Sequence, residues 1–550
     1  MATFPAYGGA RPVKPEPHEA PKPPGSIWSP FAQRLFLWLW IAALVSNIGT
    51  WMQNIGAAWL MTTLSASPLM VALIQTAASL PLFMLALPAG ALADVVDRRR
   101  LLIFSQGWML VAAGLLGALT LAHATTPWTL LVLSFALGLG SAMNAPAWQA
   151  IVPEVVTRND LAPAIAGLGV NFNIARALGP ALGGVVVSMI GAGANFLLNA
   201  TSFLAVMAVL YSWKRDYNPG TLPAERVMGA MRAGLRYVRY APPLRAVLAR
   251  TAAFIVGASA LWAVMPLLAR YELGLGATGY GLLLAFFGTG AVGGGAMLPW
   301  WDRHASRDTV VAVSTVIFAA ASAALAISRS VPVSCALMAA GGAAWTVAMS
   351  ELNVAAQLAV PQWVRGRALS CYQIVMQGGM TLGSVLWGEV ATHWGVPASL
   401  LYAAPVMGVG MLAMIRYRLA NAGTLALDPI PPVPMPEVAG EIAPDSGPVL
   451  VSVEYRIDRA HVREFEHTML ELRTIRRRDG ATFWGLFADV ADPSRYVEFF
   501  SVDSWVEHMR QHGRGTLADL ELQEYVRSFH IGKEPPIVTH HIAARVIQHP

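Results

Sequence analysis

Long apolar runs separated by short charged turns fill most of the chain up to residue 417. A run of about 20 residues crosses a ~30 Å hydrocarbon core. Runs near 34–60, 68–92, 101–122, 128–150, 162–190, 194–213, 247–269, 279–300, 308–328, 332–357, 367–393 and 397–417 therefore predict about twelve spanning helices. Past residue 420 the pattern changes. Residues 421–447 are Pro-rich and predict an extended, semi-rigid linker. Residues 448–550 then carry strand alternation at Val449–Tyr455, helical spacing at Val462, Phe465, Met469, Leu472 and Ile475, and strand-like runs at Thr482–Phe487, Tyr496–Val502 and Ile537–Ile547. With helices near His508 and over about 516–528, the order is βαββαβ, a ferredoxin-like α+β unit. The fold class expected is an α-helical polytopic membrane protein with a small cytosolic α+β domain.

Composition agrees. The chain has 550 residues, 55 % hydrophobic and only 13 % charged, against about 25 % charged in a soluble globule. The net charge of +6 does not signal nucleic acid, because the arginines sit in short loops between apolar runs. One set of alternate loops holds Arg98–Arg100, Arg158, the 214–250 region, Arg303, Arg307, Arg365, Arg367, Arg416 and Arg418; the other set holds Arg270 and Arg329. That asymmetry predicts both termini in the cytoplasm, in a bacterial-type inner membrane. Cys335 and Cys371, the two cysteines, both fall in apolar segments, so neither a disulfide framework nor a metal site is expected. No cofactor is expected either, and the missing P-loop pattern argues against ATP as the driving force. The expected divisions are a disordered tail (1–30), a six-helix half (31–213), a linker with a basic amphipathic helix (214–245), a second six-helix half (246–420), the Pro-rich linker (421–447) and the α+β domain (448–550). The amphipathic helix is expected to lie on the inner leaflet against anionic headgroups.

Gly90, Asp94, Arg98 and Arg99 fall between the second and third runs, with Asp97 beside them. The spacing resembles the loop between helices two and three of the major facilitator superfamily, with Asp97 in place of a second glycine. The enterobactin-exporter-like, transmembrane secretion effector branch is the one it looks like. Gly179-Pro180-Ala-Leu-Gly183-Gly184 resembles the helix-five motif of facilitator exporters and antiporters. Residues 147–153 and 355–361 correspond between the halves, as do 184–191 and 388–395. The resemblance implies export of a small amphipathic molecule by alternating access, with protons as coupling ion. Ser134 stands where many such exporters carry a coupling Arg, so the mechanism of coupling would have to differ.

Candidate site residues follow from charge and polarity inside the runs. Arg176, Glu351 and Glu389 are candidates for transport or coupling, since an intramembrane charge normally faces a cavity or a partner. Glu351 is the deeper acid and is expected to carry the proton, with Arg176 as its counter-charge. Asn47, Gln53, Asn54, Asn144, Asn171, Gln373 and Gln377 are candidate substrate-path groups, with Trp51, Trp59, Phe254, Trp262 and Trp345 as aromatic neighbours. Residues 448–550 are similar to the antibiotic-biosynthesis-monooxygenase type of dimeric α+β barrel, the match resting on element order and Ser504-Trp-Val-Glu-His508. A homodimer is expected through an apolar sheet face including Val451, Val453, Phe483 and Phe499. His508, His512, Arg510 and Trp484 form no paired acid–base arrangement at fixed spacing, so no catalytic residue is assigned and a solvated helix is expected there. The rival reading is a bifunctional chain whose cytosolic domain binds or oxidises the exported molecule.

Overall fold

The computed structural model describes residues 26, 28–213, 227–419, 427 and 442–544; the side chains of 87, 90–95, 158, 227–233, 302 and 362 fall outside that description. The expectations for residues 1–25, for most of the 421–447 linker, and for the side chains of Gly90 and Asp94 therefore lie outside the described residues.

Helices α1 (Arg34–Leu64), α2 (Pro68–Val95), α3 (Arg98–Leu121), α4 (Pro127–Val155) and α5 (Leu161–Ser212) come first. Next are α6 (Val227–Tyr240), α7 (Pro242–Leu267), α8 (Ala277–His304) and α9 (Arg307–Ile327). Then follow α10 (Val331–Leu358), α11 (Arg365–Trp394), α12 (Val396–Met411) and the single turn α13 (Ala413–Arg416). Among the described residues, ten helices are long and apolar enough to cross a membrane.

Local chemistry sets the boundaries. The Asp97 carboxylate accepts from Arg100 N at 2.8 Å and caps α3. Thr126 and Thr129 form a capping box at the start of α4. The one residue of α5 whose dihedrals leave the helix is Gly191, at φ 88° and ψ 166°, not Pro180. Gly395, between α11 and α12, adopts nearly the same dihedrals, φ 85° and ψ 163°. A positive φ of this size favours glycine. The paired positions 191 and 395 thus make the same turn in the two halves.

Both arms of α5 lie against α1. A Cβ on Gly183 would stand 2.8 Å from Met52 Cα, while Asn195 Nδ2 donates to Met52 O at 2.6 Å. Two seams join the halves toward the Gly191 and Gly395 end. In one, Gly184 of α5 meets Gly281 of α8; in the other, Gly388 of α11 meets Leu69 and Ala72 of α2. Ser79 and Thr381 share a hydrogen bond of 2.8 Å further along the second seam. Phe254, Phe287, Phe318, Trp262 and Trp345 interlock with ring centroids 5.1–6.5 Å apart. Three of these were expected beside the substrate path; here Phe254 is in the core of the second half and Trp262 and Trp345, partly buried, pack against it.

The C-terminal domain contains β1 (Val449–Arg456), α14 (Val462–Asp479), β2 (Phe483–Ala488), β3 (Arg495–Val502), α15 (Trp505–His512), α16 (Leu517–Ser528) and β4 (Ile537–Ile542). The sheet is antiparallel in the order β2-β3-β1-β4, the ferredoxin-like arrangement the element order predicts. Val449, Val451, Val453 and Tyr455 point inward, with Phe465, Met469 and Leu472 of α14 in the same buried core. This corrects the expected open face. Val451 and Val453 are 2 % and 6 % exposed, because strand period two puts them on the covered side. Phe483, Phe487 and Phe499 occupy the opposite side, with Phe483 and Phe487 exposed.

Candidate functional site

Two roomy cavities among the described residues of the helical part concern the candidate residues. One, about 500 Å³, is lined by Leu82, Ala86 and Ala89 of α2, Pro146 and Gln149 of α4, Asn353 and Gln357 of α10, and Gln373 and Gln377 of α11. It sits between the halves, on the side away from the Gly191 and Gly395 turns. Helix walls supply its apolar surface, and five amides supply its polar surface. Gln373 and Gln377 were expected here. Gln149, Asn353 and Gln357 were not, although each is an amide inside an apolar run, the same signal. Gln357 Nε2 donates to Asn353 Oδ1 at 2.6 Å, so these two are oriented as a pair.

The other cavity, about 650 Å³, lies within the first half between α1, α3, α4 and α5, and Gln149 lines both. Asn47, Asn144 and Asn171, candidates for a path between the halves, line this cavity within the first half. Asn47 Nδ2 donates to Asn171 Oδ1 at 3.0 Å, and Asn171 Nδ2 to Trp40 O at 2.7 Å. Asn144 Oδ1 accepts from Gln106 Nε2 at 3.1 Å. Gln53 is elsewhere: it is 4 % exposed and accepts from Asn199 at 3.4 Å, a structural tie between α1 and α5. Asn54 is exposed and lines neither cavity.

The charged candidates are separated. Arg176 donates from Nη2 to Asn173 Oδ1 at 3.1 Å and, across the halves, to Thr346 Oγ1 of α10 at 3.3 Å; its Nε is buried without a partner. Glu351, 3 % exposed, has Arg307 of α9 as its ion-pair partner, Nε to Oε2 at 3.7 Å. Beside it, Arg250 of α7 pairs with Asp308 of α9. Glu389 is exposed, faces His393 at 3.5 Å one turn on, and reaches neither cavity. Gly179 and Gly183 pack against Trp51 and Met52 of α1, while Gly184 faces α8, so the helix-five motif is a three-helix seam.

In the loop motif, Arg98 pairs with Glu154 of α4 at 2.8 Å. Arg99 donates from Nε to Leu210 O at 2.7 Å and from Nη2 to Tyr211 O at 3.0 Å. The two arginines thus tie the start of α3 to the ends of α4 and α5, where helix carbonyls lack partners of their own. Arg307 repeats the Arg98 role in the second half: each is the first residue of its helix and reaches an acid on the helix that follows.

On its described side α6 has one face against protein, while Leu235 and Arg239 are exposed. Tyr237 is 2 % exposed and donates to Ala359 O at 3.2 Å. Arg236 Nε donates to Arg478 O at 3.4 Å. Arg514 of the C-terminal domain lies over the Trp363 ring at 4.9 Å, and donates to Asp479 O at 2.6 Å and Glu507 Oε2 at 2.9 Å. The domain therefore docks on α6 and on the turn between α10 and α11. A buried network, Arg478 with Asp479 at 2.8 Å and Asp519 at 2.6 Å, braces the docked side.

His508 also departs from expectation. It is 2 % exposed, with its Nε2 3.3 Å from His512 Nε2 and its ring 4.8 Å from that of His540. Burial, and then the neighbouring His512 and His540, hold its pKa down to about 4. His540 arrives from β4, on a part of the chain that no local pattern links to α15. Trp484 donates to the buried Glu498 at 2.9 Å, and Arg510 pairs with Glu507 at 2.7 Å. Among the described residues, no group of three or more His, Cys, Asp or Glu is arranged to hold a metal ion.

A polytopic helical bundle with a mixed amide and apolar cavity between its halves defines a membrane transporter of the major facilitator type. The match to the transmembrane secretion effector family runs over residues 25–547, and the chain belongs to that family. The multidrug efflux pump Tap of Mycolicibacterium fortuitum is 24 % identical over 398 residues, covering 69 % of this chain and 94 % of that protein. The staphyloferrin A transporter of Staphylococcus aureus is 28 % identical over 165 residues, 30 % of this chain and 42 % of that one. Among solved structures, the nucleoside transporter NupG superposes with a TM-score of 0.54 at 13 % identity, over 70 % of this chain and 98 % of NupG. A bacterial homologue of the human lysosomal transporter Spinster, inward-facing and occupied, gives 0.54 at 14 %, over 72 % of this chain and 97 % of that one.

Proposed function

We propose that the chain is a secondary exporter of small amphipathic molecules, working by alternating access. The observation that carries this reading is the cavity of about 500 Å³ between the halves. It lies on one side of the bundle, while the Gly184–Gly281 and Gly388–Ala72 seams close the other. Counting the two arms of α5 separately and including α11 gives twelve spans in two six-helix repeats, with Gly191 and Gly395 at matching turns. The arginine bias supports a cytoplasmic location for the cavity side and both termini, and in this reading the conformation is inward-open. The amides select for hydrogen-bonding groups and the alanine and leucine walls for apolar surface. Drug- and siderophore-type substrates, as named for the relatives above, have that mixed character.

In this reading Asp94 and Arg98 belong to the inner gate, and Arg176 and Glu351 to coupling. Arg307 is the cation that Glu351 leaves when it takes up a proton, and Arg176 changes neighbours when α5 and α10 separate. The C-terminal domain is a dimeric α+β barrel-type unit that associates through the face bearing Phe483, Phe487 and Phe499.

The test uses inverted vesicles containing the full chain and a fluorescent cationic dye as substrate. Asp94→Asn should abolish export at near-normal membrane levels. Glu351→Gln should lose proton-driven accumulation but keep downhill exchange. Wild-type accumulation by Glu351→Gln would remove that residue from coupling, and absence of flux from the wild type would sink the exporter reading.

A further inference from the structure

The charged residues in the turns at the Gly191 and Gly395 end belong to one network. Those turns are residues 65–67, 122–126, 191, 268–276, 328–330 and 395, and the Asp, Glu, Lys or Arg residues within them are Arg270, Glu272 and Arg329. The arginine bias makes this the outer side, where cations work against the favoured orientation. Two arginines kept there call for another reason.

Arg270 sits in an irregular turn. Residues Leu268–Glu272 continue α7 as a single π turn, in which Leu273 N donates to Leu268 O at 3.0 Å. Single π turns recur at functional positions in helices. Glu272 of the same turn pairs with Arg329 at 2.8 Å, which ties the π turn to the α9–α10 turn inside the second half. Arg270 instead reaches the first half. Its Nη1 donates to Thr62 Oγ1 of α1 at 2.9 Å, and its guanidinium lies 5.6 Å from the centroid of the Trp59 ring. The Trp59 ring in turn stacks on Tyr280 of α8, with centroids 6.1 Å apart and planes 23° apart. Three contacts thus cross between the halves at one point, next to the Gly184–Gly281 seam.

These contacts suit a joint that must open. Thr62 and Tyr280 are buried, whereas Arg270 is half-buried. A half-buried guanidinium regains water as the seam parts, so opening leaves no charge stranded in a dry interior. While the seam is closed, a partly desolvated cation on an indole face is worth about 2–30-fold in an equilibrium constant. The second seam at this end, Gly388 with Leu69 and Ala72 and Ser79 with Thr381, is made of apolar and hydroxyl contacts.

We propose that Arg270 is a positioning residue for transport, the latch of the outer gate. Thr62 and Trp59 hold its guanidinium while the outer side is closed, and it lets go when that side opens. The Glu272–Arg329 pair fixes the π turn, so the latch travels with the second half. This rests on the alternating-access reading.

The experiment is double electron–electron resonance on the full chain in lipid nanodiscs. Labels go at Ala124→Cys and Thr392→Cys, both exposed and at the outer ends of opposite halves. Arg270→Ala should move the population toward the longer outer distance at least about threefold. Trp59→Leu should do the same, and it carries the test if Arg270→Ala fails to fold, as judged by its melting curve. Arg270→Lys keeps a cation within reach of Thr62 and Trp59 and should stay within about twofold of the wild type. A role in folding alone would lower the melting temperature without moving the population in one direction. An unchanged distribution in both Arg270→Ala and Trp59→Leu overturns the proposal, and so does a shift in Arg270→Lys as large as that in Arg270→Ala. Gly184→Ala, which strains the same side through a different contact, separates the two failures. If it lengthens the outer distance while the Arg270 and Trp59 variants do not, the latch is wrong and alternating access stands. If none of the three moves the distance, both fall.

Discussion

Adding one methyl group at Gly184 tests the alternating-access reading most directly. A Cβ on Gly184 would stand 2.6 Å from Ala277 O and 3.1 Å from Gly281 Cα, whereas ordinary contact begins at 3.4 Å. The α5 and α8 backbones must therefore separate by 3.4 − 2.6 = 0.8 Å at that point. The obstacle is backbone on both sides, so no side chain can swing away. Overpacking of this kind costs about 1–3 kcal/mol. The cost applies only where the seam is closed. The gain in helix propensity from Gly to Ala, up to about 1 kcal/mol, applies in every state and cancels from the balance. Gly184→Ala should therefore shift the population away from the conformation seen here by roughly 5–150-fold. Double electron–electron resonance between labels at Val96→Cys and Gly366→Cys reads this shift, since both positions are exposed and on the cavity side. The two native cysteines are buried. The label distance should shorten in Gly184→Ala as the cavity side closes. Gly169→Ala, with nothing within 4 Å of its Cβ, should change nothing. An unchanged distribution in Gly184→Ala would refute the idea that this seam opens and closes.

Trp363→Ala removes the ring under Arg514 and should weaken docking by about 0.5–2 kcal/mol, seen as faster hydrogen exchange at residues 234–241 with the melting of the C-terminal domain unchanged. Arg98→Ala should cost only about 0.2–1 kcal/mol of stability, because its pair with Glu154 is partly exposed; a large loss of melting temperature would contradict that. His508 has a folded pKa of about 4 against an ordinary 6.5, so the unfolded chain takes up the proton first as pH falls. Its contribution to domain stability is present above pH 6.5 and is lost progressively toward pH 4, on the order of 1–3 kcal/mol. Scanning calorimetry at pH 7.5, 6 and 5 should show the loss, and His508→Leu should flatten it; a melting temperature independent of pH would contradict the assignment.

Several features were legible in the sequence because they depend on local period and composition. The apolar runs, the strand alternation at Val449–Tyr455 and the glycines at 191 and 395 are of this kind. Lipid or a covered face demands a fixed repeat, and only glycine tolerates the positive φ of those two turns. The element order βαββαβ likewise carried the sheet order with it. Tertiary structure decided which polar groups meet. Gln53 and Gln373 look alike in the sequence, yet one is bound to Asn199 inside the first half and the other lines the cavity between halves. Glu351 acquires Arg307 from a neighbouring helix. His508 is buried by His540, which arrives from a strand about thirty residues later in the chain. Tyr237 finds Ala359, and its neighbour Arg236 finds Arg478 of the C-terminal domain, because elements distant in sequence pack on that face of α6. A charge or amide inside an apolar run declares that it needs a partner. Which partner it gets depends on how the helices and strands pack, and no local spacing encodes that.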